Sequence, residues 1–186
     1  LINLNKIKII LTERSSISEL RYSNNLINKL KNKLIYFFAK TLYKFSDLII
    51  TNSEFEKKFI QNKFQLNNVI CIHPPSIKDI IKKNANNNYK KKYNFIYVGR
   101  LSNEKGVFII LKALKEIKNK YNFLFNLYGD GPEKKSIEKF IKINNLNKII
   151  SLKGFVKNQK SIFKNADLFI NASLWEGLPN ALVQSI

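Results

Sequence analysis

Apolar and polar positions divide the first half of the chain into short strands and two amphipathic helices. Residues 26–45 repeat apolar side chains at helical spacing, which predicts a helix with a broad apolar face. Ser53 is expected to cap a second helix over residues 54–61, because Glu56 supplies an acidic partner three residues later. The polar residues 12–16 predict a turn. The predicted strands occupy residues 6–11, 47–50 and 69–72.

The second half alternates more regularly, with a predicted helix after each predicted strand. The strands are expected over residues 95–98, 123–128, 149–152 and 168–171. The helices are expected over residues 106–119, from Pro132 onward, and over residues 160–165. Pro179 is expected to begin a further helix, because proline favours the first helical position. This alternation predicts an α/β fold with a parallel sheet and helices on both faces.

A polar segment separates the two halves. Residues 77–92 are rich in Asn and Lys, and we interpret them as a linker between a domain over residues 1–76 and a second over residues 93–186. The sequence contains no Met and begins within an element pattern. We therefore expect it to be an internal piece of a larger protein.

Composition restricts the classes of function. The hydrophobic fraction of 45% is sufficient for a packed core. The formal net charge of +20 raises the question of nucleic-acid or anionic-membrane binding. The lysines are spread along the chain without an RNA-binding aromatic signature or zinc-finger spacing, which disfavours nucleic acid as a partner. A peripheral electrostatic contact with an anionic membrane stays open.

Cysteine and histidine exclude further classes. Cys71 is the only cysteine, so a disulfide or a cysteine-based zinc site within this sequence is excluded. A chain without disulfides fits a reducing compartment, and a cytoplasmic location is expected. No run of about 18 apolar residues indicates a membrane-spanning helix. His73 is the only histidine, and we interpret it as structural because no second histidine can complete a triad or a metal site.

Two turns carry the strongest chemical signal. The first contains Gly99 and Arg100 and continues to Lys105, and the second contains Glu176 and Gly177. Each follows a predicted strand and opens a predicted helix, so each lies where α/β sheets bind ligands. A helix N-terminus favours an anion at that place. One cationic turn and one turn with Glu and Gly suit a nucleotide-diphosphate sugar, which has a phosphate end and a hydroxyl-rich end.

The second half resembles the retaining glycosyltransferases of family 4 over about residues 93–186. The matching motifs appear in order: Val98-Gly99-Arg100-Leu101 with Glu104-Lys105-Gly106, Gly129-Asp130-Gly131-Pro132, Gly154-Phe155-Val156, Ala166-Asp167-Leu168-Phe169 and Ser173-Leu174-Trp175-Glu176-Gly177-Leu178-Pro179. The resemblance implies the GT-B architecture, in which two Rossmann-like domains with parallel sheets face each other across a cleft. The first half matches more loosely: residues 46–53 resemble the end of the acceptor-side domain, and residues 71–75 resemble the segment where the family crosses into the donor-binding domain. The sequence is thus expected to contain the end of the acceptor-side domain and most of the donor-binding domain.

The resemblance implies roles for three charged residues. Arg100 and Lys105 are expected to hold the donor diphosphate and to stabilise the departing nucleotide diphosphate, which removes the need for a metal ion. Glu176 is expected to accept hydrogen bonds from the donor sugar and to lie close to the reacting carbon. On the residues alone, solvated surface cations and a helix-end acid are the alternatives.

Further donor-binding residues follow from the same resemblance. Phe155 and Val156 lie in the turn expected to read the nucleotide base, and on the residues alone an ordinary turn at a strand end is the alternative. Gln184 occupies the position where the family has a second Glu that binds the ribose, and glutamine lacks the charge that strengthens such a bond. The remaining donor-binding candidates belong to the turns around the phosphates and the sugar: Gly99, Gly129, Gly177 and Leu178.

The acceptor side has two candidates, Glu13 and Arg14, in a turn expected to face the cleft. A plain helix start capped by Ser15 or Ser16 is the alternative. The predicted function is retaining transfer of a sugar from a nucleotide-diphosphate donor, a UDP-sugar in our expectation, to a glycan or lipid-linked acceptor. The setting would be the synthesis of lipopolysaccharide, capsule or another surface polysaccharide at the cytoplasmic face of a membrane, without a cofactor. The alternative is a non-catalytic or degenerate relative that binds sugar nucleotides or glycans.

Overall fold

A computed structural model describes residues 7–13, 17, 26–73, 92–157, 160–176 and 179–185. Contacts divide the chain into two compact units, with the boundary at residues 75 and 76. Trp175 and Glu176 group with the first unit, whereas Leu174 and Pro179 group with the second. Each unit is built on its own parallel sheet.

The first unit alternates strands and helices around a three-stranded sheet. Its strands lie side by side in the order β1, β2, β3, and both pairings are parallel. The elements are β1 (Ile10–Glu13), α1 (Leu26–Lys44), β2 (Leu48–Thr51), α2 (Glu54–Phe64) and β3 (Val69–Cys71).

One face of this sheet packs against both helices. Ile49 and Val69 are buried and pair in register, so they point to the same side. The helices supply Ala39, Tyr43, Phe59, Ile60 and Phe64 to the same core. The alternate strand positions point to the other face, where Ile10 and Ile70 are 57% and 39% exposed. Among the described residues, both helices of the first unit therefore cover the same face of its sheet.

Local capping confirms the start of α2. The Ser53 side chain accepts the backbone N–H of Glu56 at 3.2 Å. The helix runs three residues further than predicted, to Phe64, and its C-cap residue Gln65 adopts a left-handed conformation with φ of 55°. The prediction of a turn at residues 12–16 is wrong for Thr12 and Glu13. They continue β1 because their backbones pair with Ile50 and Thr51 of β2.

The second unit has a four-stranded parallel sheet in the order β6, β5, β4, β7. A 3-10 turn over Asn103–Lys105 precedes the first helix after β4. The strands are β4 (Tyr93–Val98), β5 (Phe123–Tyr128), β6 (Ile150–Gly154) and β7 (Leu168–Phe169). The helices are α3 (Val107–Ile117), α4 (Lys134–Ile143), α5 (Lys160–Lys164) and α6 (Asn180–Gln184).

Helices cover both faces of this sheet, as the alternation predicted. Tyr97 faces a core that includes Leu111 of α3 and Ile137 of α4. The next strand position, Ile96, faces the opposite core together with Ile162 of α5. Two predicted helix starts are wrong: α4 begins two residues after Pro132, and α6 begins one residue after Pro179. Within the described ranges, no helix combines the length and the hydropathy needed to cross a membrane.

In both units an aspartate forms the same pair of hydrogen bonds with the backbone at a neighbouring strand. The Asp47 carboxylate accepts the backbone N–H of Ile9 at 2.8 Å, and the Asp47 N–H donates to the carbonyl of Ile9. Asp167 makes the same two bonds with Asn94. The bond from Ile9, followed by that from Lys8, lowers the pKa of Asp47 below its usual value. Each aspartate sits just before a strand and fixes its register against a neighbour.

Candidate functional site

The carboxyl edge of the second sheet contains a topological switch point. The chain runs from β4 outward through β5 to β6 and then returns to the other side of β4 with β7. The loops after β4 and β7 therefore leave neighbouring strands in opposite directions. A crevice opens at such a point, and it is the usual ligand site of an open α/β sheet.

The loop after β4 is anchored from below by a buried tyrosine. The Tyr97 hydroxyl donates to the carbonyl of Arg100 at 2.8 Å, and Tyr97 is only 2% exposed. A Cβ at Gly99 would lie 2.8 Å from that hydroxyl oxygen, so a side chain there would displace the anchor. Leu101 is fully buried and donates its N–H to the carbonyl of Asp130. These contacts fix the backbone on both sides of the exposed Arg100 side chain.

The charges of both predicted phosphate-binding cations, Arg100 and Lys105, act on the carboxylate of Glu104. Burial alone would raise the pKa of Glu104, but a hydrogen bond from Ser102, the Glu104 backbone N–H and the charges of Arg100 and Lys105 lower it on balance. Ser102 is buried and donates its hydroxyl to Glu104 Oε1. The lowered pKa favours the ionised form of the Glu104 carboxylate. Two cationic side chains and one carboxylate therefore lie on the same short loop.

The loop after β7 lies directly on this turn. Leu174 donates its N–H to the carbonyl of Glu104 at 2.8 Å. Gly106 adopts a left-handed conformation with φ of 62°, and a Cβ there would overlap the carbonyl oxygen of Ala172. Only glycine permits this approach of two backbones. The two loops that sequence analysis singled out are thus in contact at residues 104–106 and 172–174.

The loops after β5 and β6 complete the edge. Gly129 has φ of 143° and donates its N–H to the carbonyl of Gly154 at 2.8 Å. A Cβ at Gly129 would overlap the carbonyl of Gly99, and one at Gly131 would overlap the carbonyl of Leu101. Glycine at these positions lets the loop after β5 press against the loop after β4. All four loops are therefore interlocked through backbone contacts.

The other donor-side candidates occupy more open positions. Phe155 follows β6 with 72% of its surface exposed, and Val156 packs against the core beneath α5. Gln184 is exposed and is the last residue of α6. Gly177 and Leu178 lie outside the described residues. Glu176 is half-buried, and its contacts place it with the first unit.

The acceptor-side candidates have a different environment from the one expected. Glu13 is the last residue of β1, and its Oε2 accepts the hydroxyl proton of Tyr43 at 2.6 Å. Burial, the Glu13 hydrogen bond and the charges of Glu13 and Glu56 raise the pKa of Tyr43 far above its usual value. Arg14 lies outside the described residues. His73 Nδ1 lies 3.1 Å from the carbonyl oxygen of Asn52, a contact that joins the segments after β2 and β3.

Sequence reasoning missed the residues that support the loops. Tyr97 was expected only as part of a strand and Asp130 only as part of a motif, and no role was expected for Ser102. Asp130 accepts the N–H of Gly131 at 2.7 Å and pairs with Lys134 at 3.2 Å, which rigidifies the turn after β5. The polar residues beside each Gly-containing turn were the available signal, because such residues often hydrogen-bond nearby backbone.

Gly106→Ala should destabilise the second unit more than Gly154→Ala. Both glycines have positive φ, at 62° and 69°, so each alanine costs about 1–2 kcal/mol of backbone strain. The Gly106 variant must in addition push Ala172 away, whereas a Cβ at Gly154 meets nothing within 4 Å. Urea unfolding of the two variants measures the difference. Equal losses of stability would show that the contact between the two loops contributes nothing.

Solved structures with the same architecture are glycosyltransferases. The chain aligns over 98% of its length with a TarM variant of Staphylococcus aureus crystallised with fondaparinux, alpha-GlcNAc-glycerol and UDP, at a TM-score of 0.73 and 19% identity. It aligns over the same share with Anabaena HepE in complex with UDP and glucose, at a TM-score of 0.69 and 16% identity. The chain covers 36% and 51% of these two proteins. The fold is the expected α/β GT-B fold, represented in part.

Sequence comparison defines the family. A model of the family described as glycosyl transferases group 1 matches residues 77–186, which is more than half of the chain. The chain belongs to this family.

Curated relatives extend over more of the chain. An uncharacterized glycosyltransferase of Methanocaldococcus jannaschii is 32% identical over 179 residues, or 88% of this chain and 44% of the relative. The capsular polysaccharide biosynthesis glycosyltransferase CapH of S. aureus is 30% identical over 181 residues, or 87% of this chain and 45% of the relative. The chain thus spans less than half the length of these relatives.

Proposed function

We propose that the whole protein transfers a sugar from a nucleotide-diphosphate donor to a glycan or lipid-linked acceptor with retention of configuration. One observation carries this proposal: Arg100 and Lys105 both lie on the loop that follows β4 at the switch point of the second sheet, and the charges of both lower the pKa of Glu104. Family membership supports the reaction class. The resemblance to family 4 supports retention.

A diphosphate suits this position for electrostatic reasons. Arg100 presents a planar fork of donors and Lys105 a mobile point charge, a combination that can hold two phosphate groups. Within the loop, Glu104 offsets part of their charge. A diphosphate carries more negative charge than one carboxylate and would attract both cations away from it. As the bond to the sugar breaks, the same cations would stabilise the charge that accumulates on the leaving group.

The donor and the acceptor are proposed from the relatives. UDP is the nucleotide in the TarM and HepE complexes, which supports a UDP-sugar. A Campylobacter jejuni relative, 26% identical over 185 residues, is named as an N-acetylgalactosaminyltransferase acting on a diphospho-undecaprenol-linked sugar. CapH belongs to capsular polysaccharide biosynthesis. We accordingly propose a role in surface polysaccharide synthesis at the cytoplasmic face of a membrane.

The reaction should proceed without a divalent metal. Arg100 and Lys105 supply the positive charge that a metal ion would otherwise bring to the diphosphate. Full-length protein, incubated with UDP-sugars and a lipid-diphosphate acceptor, should transfer sugar equally well with and without EDTA. Product analysis by NMR would give the anomeric configuration. Activity that EDTA abolishes and added Mg²⁺ or Mn²⁺ restores would contradict metal independence.

The same assay separates the enzyme from a binding protein. Gln184 stands exposed at the end of α6, where the resemblance expects the glutamate that binds the ribose. A degenerate relative would bind UDP measurably by calorimetry and yet release no UDP from any UDP-sugar. An active enzyme would release UDP in proportion to the glycosylated product. Binding without turnover across a panel of donors and acceptors would reject the catalytic proposal.

A further inference from the structure

Helix α1 carries a row of exposed large apolar side chains. Tyr36, Ala39 and Tyr43 recur at spacings of three and four residues and pack into the core of the first unit. The exposed apolar side chains lie on the remaining surface of the helix: Leu30, Leu34, Ile35, Phe37, Phe38, Leu42 and, directly after the last turn, Phe45. Phe37 and Phe45 leave 66% and 72% of their surface in solvent. A surface helix ordinarily has polar residues there, so a patch of this kind indicates an interaction site.

A basic ridge borders this apolar row. Lys29, Lys33, Lys40 and Lys44 follow one another at spacings of four, seven and four residues, which places them along one side of the helix. All four side chains are exposed, and the sequence of α1 contains no Asp or Glu. The outer face of α1 is defined by the exposed apolar side chains and these four lysines. It therefore combines an apolar surface with a border of positive charge.

We propose that the outer face of α1 docks on the surface of an anionic bilayer. A helix with Phe and Leu on one arc and lysines along its border lies in the plane of the membrane interface. The apolar side chains enter the boundary between headgroups and acyl chains, while the lysine ammonium groups stay at the level of the lipid phosphates. The basic ridge matches the charge of such a surface. This inference does not rest on the proposed transfer reaction.

Vesicle binding by the full-length protein tests the docking surface. The protein should co-sediment with vesicles that mix anionic phosphatidylglycerol into an excess of phosphatidylcholine, and much less with vesicles of phosphatidylcholine alone. Replacing Lys33 and Lys44 by Gln should lower the partition coefficient about 25-fold, since each lysine near an anionic surface contributes a factor of about five. Phe37→Ser combined with Phe45→Ser should lower it by about tenfold or more, because the inserted apolar area is lost.

Matched variants distinguish docking from the general attraction of a basic protein. Lys135→Gln combined with Lys139→Gln removes the same charge from exposed positions of α4 and should change the partition coefficient less than about threefold. Ile143→Ser, at a position 67% exposed on α4, is the control for Phe37 and Phe45. Equal losses in the α1 and α4 variants would overturn the proposal. Absence of binding to anionic vesicles would also overturn it, as would a solution dimer that the Phe37 and Phe45 substitutions dissociate.

Discussion

Glu176→Gln should lower the turnover number on the order of 100-fold while changing the KM for the donor little. If Glu176 touches the sugar near the reacting carbon, its hydrogen bonds strengthen as positive charge develops on that carbon. Interactions made mainly in the transition state change kcat, whereas interactions made equally in the ground state change KM. The substitution keeps the shape of the side chain and removes its charge. Steady-state kinetics with the full-length enzyme and a saturating acceptor measures both constants.

Gln184→Glu is the matched counterpart of that variant. If Gln184 touches only the ribose, which does not change during the reaction, its contribution is uniform binding. A charged acceptor binds a diol more strongly, so KM should fall while kcat stays nearly constant. If Glu176→Gln changes KM alone, Glu176 is a binding residue or an acid that stabilises a helix N-terminus, and its proposed catalytic role is wrong.

Arg100→Ala and Lys105→Ala should each weaken UDP binding by about 1.5–3 kcal/mol, the usual contribution of a hydrogen bond to a charged group. This corresponds to roughly a 10- to 150-fold higher Kd. The expected loss follows if each cation contacts the diphosphate directly, as proposed, because each substitution then removes a charge-assisted hydrogen bond. Isothermal titration calorimetry on the full-length protein gives the affinity and shows whether the two losses are additive.

A control variant must separate these contacts from the general attraction between a basic protein and UDP. Lys112→Ala removes one positive charge from an exposed position of α3 and should leave the Kd for UDP within about twofold of the original value. Glu104→Gln should tighten UDP binding, because it removes the carboxylate that competes for Arg100 and Lys105. Unchanged affinity for UDP in both alanine variants would show that the diphosphate does not bind at this loop.

Local chemistry made some elements predictable from sequence. Ser53 caps α2 through a side chain and a backbone group only three residues apart, so the signal lies within one turn. Strand β5 occupies residues 123–128, as predicted, because its apolar run is bounded by polar residues and by Gly129. The length of β1 was not predictable. Thr12 and Glu13 belong to it only because β2, which follows the whole of α1 in the chain, pairs with them.

The candidate site shows the same limit. The motifs identify Arg100 and Lys105 as neighbours in a turn, and their roles stay predictions. Nothing near Glu104 in sequence announces that its carbonyl receives the N–H of Leu174, which follows β7 at the far end of the unit. The anchor from Tyr97 is hidden for a related reason, since a tyrosine in an apolar strand is typical of core packing. Contacts that depend on the return of β7 to the sheet require the structure.

The two hydrogen bonds between Asp167 and Asn94 bear on the order in which the second unit folds. Asp167 and Asn94 are 73 residues apart, whereas β7 itself contributes only two register pairs to β4. Contacts between distant residues close large loops, which slows their formation. The pairing of β7 with β4 is thus expected to be the last event in assembly of this sheet. The Asp167 carboxylate then holds the two strands together. The crevice beside β4 would then form only when the sheet is complete. A nucleotide that binds there would bind only the fully folded state and would raise its free energy of unfolding.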